Sequence, residues 1–198
     1  MNPDVEIARL RELMPASGRM FVRVYNKPQQ AVVLETPFPK PWKRDVRPVQ
    51  INFDLWQELP LEQRDLLFLR AVTWLVGIKW LKPDWYQGLA LAGVVGTAVE
   101  LSQGDAMGVL VAGGLSAIAV RQLWQSFRGA QREVEADEGA IATAQRRGYS
   151  RAAAAANLLA ALEATARLEG RRGLSFREAL RAQNLRVLAD PAMATWSV

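Results

Sequence analysis

The chain has 198 residues, half of them hydrophobic and 23% charged, which fits one folded domain with at most a small addition and excludes a disordered polypeptide. It contains neither cysteine nor histidine, which excludes disulfides, thiolate or imidazole zinc ligands, and a Ser-His-Asp triad. The formal net charge of +5 favours anionic partners such as lipid headgroups or nucleic acid.

The first 60 residues carry the signals of a short helix and a small β element. Asn2 before Pro3 is typical of a helix N-cap and first turn, and predicts a helix over residues 3–14. Three β-prone runs follow, of which we interpret the first two as a hairpin and the last as a third strand: residues 20–25, 30–35 and 49–53. Three prolines within residues 36–44 predict an extended connection before the third strand.

The next segment predicts a buried helix over residues 61–83. From Leu66 to Leu81 the only charged residues are Arg70 and Lys79, so the helix is apolar nearly all round. Such a helix is buried in protein or in lipid, and Pro83 is expected to end it.

Residues 84–124 are strongly apolar. Between Lys82 and Arg121 the chain has no lysine or arginine over 38 residues. Two apolar runs flank an acidic turn at residues 100–105, and each approaches the ~20 residues of a spanning helix only when its flanks are counted. We predict a two-helix membrane hairpin. The alternative is a buried hairpin in a soluble helical domain, because soluble cores also use alanine and glycine.

Aromatic and basic residues predict the orientation of this hairpin. Aromatic side chains stand at one pair of ends, where we expect the membrane interface: Trp80, Trp85, Tyr86 and Trp124. Lysines and arginines lie on the same side, which predicts an integral membrane protein with both termini in the cytoplasm. Asp4 and Glu6 do not match the basic start of a secretory signal, in agreement with that orientation.

Small residues recur every four positions in both apolar runs. They predict close packing of the hairpin helices: Gly88, Ala92, Gly96, Gly104, Gly108 and Ala112. Such ridges let two helix backbones approach closely in lipid.

Residues 125–198 are predicted to form a polar helical region. Gly148 is expected to end one helix, Ser150 to cap an alanine-rich helix, and Ser175 with Glu178 to form a capping box. In the last helix we expect four residues to face the core: Phe176, Ala179, Leu180 and Val187.

One acidic segment resembles part of a known family. Residues 133–137 read Glu-Val-Glu-Ala-Asp and precede Gly148-Tyr149 and an alanine-rich helix. This order resembles the segment that supplies the third zinc ligand in HtpX-like and CAAX-prenyl-protease-like membrane zinc peptidases. Residues 59–65 look like the run that leads into the His-Glu-x-x-His helix of that family. The resemblance covers about residues 49–160 and implies a peptidase-like fold.

The chain departs from that family at the zinc site. The His-Glu-x-x-His positions hold Arg70, Ala71 and Trp74, so only Glu133 matches a zinc ligand and Asp137 matches an acid that orients one. Because a catalytic zinc needs about three protein ligands, the resemblance implies a scaffold with no metal, no cofactor and no catalytic residues. We expect Arg70 to take the place of zinc in an ion-pair cluster with Glu133 and Asp137. The alternative is a solvated acidic helix face.

The whole chain also resembles a cyanobacterial family known only as a domain of unknown function. Residues 62–70, 103–106 and 144–149 carry this resemblance. It implies a photosynthetic bacterium and an internal membrane, and supplies no activity. We expect the protein in the thylakoid or the cytoplasmic membrane.

These signals together predict a mainly α fold with a small N-terminal β element and a helical membrane hairpin inserted between peptidase-like helices. The predicted domains are an N-terminal helix, β-hairpin and extended linker, a buried helix, a membrane hairpin and a C-terminal helical region: residues 1–60, 61–83, 84–124 and 125–198.

The predicted function is a non-catalytic, membrane-anchored scaffold, assembly or regulatory factor that serves photosynthetic membrane complexes. Its expected partners are membrane proteins or complexes and anionic lipid headgroups. Two alternatives are a metallopeptidase-like hydrolase with an atypical site and a basic module that binds anionic lipid or nucleic acid. Nucleic acid is disfavoured, because residues 131–198 hold ten arginines but also eight acids.

Overall fold

The computed structural model describes residues 1–38, 46–77 and 130–190, together with Val95, Ser102 and Gly114. The chain divides into two compact units, one formed by Met1–Ile78 with Ala130–Val198 and the other by Lys79–Gly129. All elements described below belong to the first unit.

This unit is mainly helical with a small three-stranded sheet, as the sequence predicted. Its elements in chain order are α1 (Pro3–Leu13), α2 (Ala16–Phe21), β1 (Val22–Asn26), β2 (Leu34–Glu35), β3 (Arg47–Ile51), α3 (Phe53–Trp56), α4 (Leu61–Gly77), α5 (Ala130–Gln145), α6 (Arg151–Leu168) and α7 (Phe176–Ala189).

The predicted hairpin of the first two strands is wrong. The strand order is β1-β3-β2, with β1 parallel and β2 antiparallel to β3, so β3 lies between the strands that were expected to pair. The Asn52 side chain, directly after β3, donates hydrogen bonds to the carbonyls of Pro28 (3.0 Å) and Gln30 (2.9 Å). Its backbone N–H donates to the Val33 carbonyl at 3.0 Å. These bonds tie the β1–β2 connection to the end of β3, which keeps β1 and β2 apart.

Local signals fix most helix ends. The Asn2 side chain accepts a hydrogen bond from the Asp4 N–H at 3.0 Å, which caps α1 as expected. Ser150 caps α6, and Ser175 with Glu178 forms the predicted capping box of α7. Gly148, with φ of 96°, follows the end of α5 in the left-handed conformation that glycine adopts without a Cβ clash.

Helix α4 lies between two apolar clusters. One face contributes Phe68, Val72 and Leu75 to a cluster formed with α1, the sheet and α3. The other face contributes Leu66 and Leu69 to a cluster that also contains residues of α5, α6 and α7. A helix with apolar residues on both faces suits this central position.

The buried face of α7 is not the predicted one. All four residues predicted to face the core are exposed: Phe176, Ala179, Leu180 and Val187. The buried residues are Arg181, Ala182 and Leu185. Large apolar residues at helical spacing suggested a core face, but Leu185 and the small Ala182 pack inward beside Arg181. An arginine on the inner face therefore requires partners inside the fold.

Three predicted features lie outside the described residues, wholly or largely. These are the membrane hairpin of residues 84–124, most of the extended connection of residues 36–44, and the last turn of the helix predicted over residues 61–83. Within the described residues, none of the helices combines the length and the apolarity that crossing a bilayer requires.

Candidate functional site

The candidate site lies where α4, α5 and α7 meet. Helix α5 approaches α4 closely because Gly139 has no side chain. A Cβ at that position would lie 2.5 Å from Cγ2 of Thr73, closer than carbon atoms pack. This close approach brings the polar residues of α5 against α4.

The structure places the three residues of the predicted ion-pair cluster together. The Arg70 guanidinium forms an ion pair with Glu133, and its Nε lies 3.6 Å from Oδ1 of Asp137. Glu133 and Asp137 are one turn apart on α5, so both carboxylates face α4. The Arg70 side chain is 14% exposed and that of Asp137 is fully buried.

A fourth member, Arg181, was missed by the sequence analysis. Its Nε and Nη2 donate to Oδ2 and Oδ1 of Asp137, each at 2.8 Å, in a bidentate pair. The available signal was the position of Arg181 beside Ala182 and four residues before Leu185, on the same helical face. The larger apolar residues on the opposite face of the helix favour that face for the core, which hides Arg181.

Two guanidinium groups therefore surround one fully buried carboxylate. The Arg70, Arg181, Glu133 and Asp137 side chains carry two positive and two negative charges, so the cluster is neutral as a whole. Burial lowers the pKa of Arg70, the nearby Arg181 lowers it further, and Asp137 and Glu178 oppose the change. Nε of Arg70 is buried and has no hydrogen-bond acceptor among the described residues. Its interaction with Asp137, at 3.6 Å, is therefore an ion pair without a hydrogen bond.

The chemistry available to this cluster is limited. A carboxylate that accepts a bidentate arginine pair has few lone pairs left for a metal ion, and an arginine cannot serve as a base at neutral pH. In the part of the chain that the structure describes, no three acidic side chains are grouped as a metal site would require. The arrangement suits support of the α4–α5–α7 packing.

A half-open cavity of about 360 Å³ borders the cluster. Arg70 and Arg181 form part of its wall. The other lining residues come from three parts of the fold: the segment around β2, helices α4 and α6, and the stretch that leads from α6 into α7. They are Val32, Leu34, Thr36, Leu67, Leu162, Thr165, Glu169, Arg171 and Glu178.

The charged residues of the cavity wall are also paired. Nη1 and Nη2 of Arg171 donate to Glu178 at 2.6 and 2.9 Å, and Nε donates to Glu169 at 2.9 Å. Burial tends to raise the pKa of Glu178, but the hydrogen bonds from Arg171 and Ser175 outweigh it and lower this pKa to about 2. The second oxygen of Glu169 accepts the Val33 N–H at 3.0 Å, which links this wall to the sheet region.

A second buried cluster joins the N-terminal helix to α4. Glu6 accepts two hydrogen bonds from Arg9, both at 2.8 Å, and one from Nε1 of Trp56 at 3.0 Å. Arg9 also donates to Asp65 at 2.6 Å, and the Tyr149 hydroxyl donates to the other oxygen of Asp65 at 3.1 Å. The cluster connects four separate segments, and its groups point at one another, so we assign it to fold stability.

The remaining predicted site residues lie outside the described residues. They are the membrane-interface residues Trp80, Trp85, Tyr86 and Trp124 and the hairpin-packing residues Gly88, Ala92, Gly96, Gly104, Gly108 and Ala112.

Comparison with known proteins identifies relatives of this chain. The family model Protein of unknown function (DUF3318) matches residues 8–149, which spans α1 to the turn after α5. The chain is also 30% identical over 150 residues to the thylakoid membrane protein slr1949 of Synechocystis sp., covering 73% of this chain and 69% of that protein. No solved structure matches. These findings agree with the resemblance to a cyanobacterial family and give no support to the zinc-peptidase resemblance.

Proposed function

The chain belongs to the DUF3318 family, and we propose that it is a non-catalytic scaffold or assembly factor held in the thylakoid membrane. The observation that carries this proposal is the 30% identity, over 73% of the chain, with a protein named for that membrane. Because the match extends over most of both chains, membrane location is the property that we transfer.

The paired charges of the candidate site support a non-catalytic role. Asp137 is fully buried and bound by Arg181, and Glu133 is bound by Arg70. A hydrolase with an atypical metal site needs free carboxylate oxygens for the metal and a further group to activate water. Here both oxygens of Asp137 and one oxygen of Glu133 lie against guanidinium groups, which favours a supporting role over the hydrolase alternative.

The sequence of residues 84–124 supplies the proposed membrane attachment. This segment has no lysine or arginine between Lys82 and Arg121, and aromatic residues stand at its borders. We propose that it enters the bilayer as a helical hairpin. Its small residues at four-residue spacing suit contact with helices of another membrane protein, which would be the partner of a scaffold.

The proposal is tested by fractionation and partner capture of the tagged full chain in a cyanobacterium. We expect the protein to remain in membranes washed with carbonate. After mild detergent extraction it should elute with a reproducible set of integral membrane proteins, identified by mass spectrometry. Release by carbonate, or elution of the protein alone, would contradict the proposal.

A matched pair of variants tests the role of the small residues. Gly96→Leu with Gly108→Leu adds bulk where helices are proposed to meet, so the captured partners should be lost while the protein stays in the membrane. Val99→Leu, in the same apolar run, is the control and should leave capture unchanged. Equal capture by both variants would argue against hairpin-mediated binding.

A further inference from the structure

The solvent side of α7 carries a narrow apolar stripe. Phe176, Leu180 and Val187 are 79%, 37% and 47% exposed. At about 100° per residue, these three positions fall within about 40° of one another on the helix surface. They lie opposite the buried face formed by Ala182 and Leu185. Single exposed apolar residues are common on protein surfaces, but here three share one side of a helix, with the exposed Gln183 between Leu180 and Val187.

Arginines flank this stripe on both sides. Arg177 and Arg186 are exposed and stand on opposite edges of it, about 60–100° and 80–120° away at the helical repeat, and Arg172 is exposed just before the helix. Residues 167–190 hold six arginines, but Arg181 is buried and bound to Asp137, so five arginines stand against three acids outside the core. Two of those acids, Glu169 and Glu178, are already bound by Arg171.

The arginine at one edge of the stripe, Arg186, takes part in an exposed ion pair. Arg186 pairs with Glu163 at 3.1 Å, but its side chain is 63% exposed. An ion pair in that setting contributes little and is easily exchanged for another anion. The surface is therefore apolar at its centre and basic at both edges.

We propose that this face of α7 rests in the headgroup region of an anionic bilayer, with the helix parallel to the membrane plane. An in-plane helix buries an apolar stripe at the acyl boundary, while flanking arginines extend their chains to anionic headgroups. The excess of arginine selects an anionic lipid surface over a neutral one. The inference rests on the proposed membrane location and adds a second contact, separate from residues 84–124.

The absence of cysteine from the chain allows a direct test. Single cysteines replace Phe176, Leu180 or Val187 in the full chain and are labelled with an environment-sensitive dye. The labelled proteins are reconstituted into phosphatidylcholine vesicles with or without phosphatidylglycerol. We expect blue-shifted emission and quenching by headgroup-attached spin labels at all three positions, stronger when phosphatidylglycerol is present.

Two control positions separate this contact from general adsorption. Ala179→Cys lies at the edge of the same helix face, between the stripe and Arg186, and should be quenched less than the stripe positions. Val5→Cys lies on α1 and is 66% exposed, between the acidic Asp4 and Glu6. The Val5 position should not be quenched. Quenching at Val5 as strong as at the stripe, or no quenching at the stripe, would overturn the proposal.

The arginines are tested by charge removal. In the double variant Arg172→Gln, Arg177→Gln, the ratio of membrane-bound α7 to unbound α7 should fall about fivefold for each arginine removed. Arg146→Gln with Arg151→Gln removes the same charge elsewhere on the exposed surface and should have little effect. Equal losses in the two pairs would overturn the role given to the flanking arginines.

The remaining outcomes also decide the question. A blue shift at the stripe without lipid quenching would mean that protein covers this face, either the chain's own last residues or a second copy, and would refute the bilayer contact. If the protein stays in carbonate-washed membranes while the stripe is not quenched, this inference fails and the proposed function stands. If carbonate releases the protein, that result contradicts the proposed function, on which this inference rests.

Discussion

Asp137 is the residue on which the buried cluster depends most. Replacing it by asparagine keeps the shape of the side chain but removes the charge that balances Arg181 and contributes to balancing Arg70. Removing one partner of a buried ion pair typically costs ~3–5 kcal/mol, because the other charge is left without compensation. Since Asp137 is fully buried and bonded through both oxygens, we expect Asp137→Asn to fall in this range.

The assay is thermal unfolding of the purified full chain, followed by circular dichroism. At about 2–4 °C per kcal/mol for a chain of this size, the expected fall in Tm is about 6–20 °C. Glu138→Gln is the matched control, because Glu138 is the next residue of α5 and is exposed. It should change the free energy of unfolding by less than ~0.5 kcal/mol. A Tm for Asp137→Asn equal to that of Glu138→Gln would mean that the buried arginines do not depend on this carboxylate.

Three further predictions follow from the same structure. Gly139→Ala should destabilise the protein by ~1–3 kcal/mol, because the added Cβ would collide with Thr73. Adding Thr73→Ala to the same chain should restore most of the lost stability. A double variant as unstable as Gly139→Ala alone would contradict the close packing of α5 on α4. The pKa of Glu178 is lowered from 4.5 to about 2, so its contribution to stability is fully present above about pH 4.5 and is lost as the pH falls toward 2. Glu178→Gln should therefore flatten acid denaturation between pH 4.5 and 2, and an unchanged pH profile would count against the Arg171 pair. EDTA should leave Tm unchanged, whereas a fall would reveal a structural metal that the paired carboxylates were not expected to hold.

Local features of the fold were predictable because their causes lie within a few residues. The N-cap at Asn2, the cap at Ser150 and the capping box of Ser175 and Glu178 each depend on one side chain and the following turn. Strand pairing depends on distant residues. Asn52 holds the β1–β2 connection through bonds to Pro28, Gln30 and Val33, and nothing in the two strand sequences reveals that contact.

Some residues of the candidate site were predictable from local sequence, and others were not. The spacing of Glu133 and Asp137 puts both on one face of α5, so sequence reasoning reached them and paired them with Arg70. Arg181 was not reached, because large exposed side chains such as Phe176 outweighed Ala182 and Leu185 in assigning the inner face of α7. The cavity depends on how five segments pack, which no local pattern encodes.

We propose that the chain acts by binding membrane partners and that the buried charges only support its fold. The most direct test measures partner capture by a chain in which the cluster is made apolar: Arg70→Met, Glu133→Leu, Asp137→Leu and Arg181→Met. Replacing a whole buried charge cluster by apolar residues is often neutral or stabilising by about 1–4 kcal/mol. We expect this variant to fold, to stay in carbonate-washed membranes and to capture the same proteins as the unaltered chain. A variant that folds with an unchanged Tm but captures none of them would contradict the claim and make the cluster a functional site.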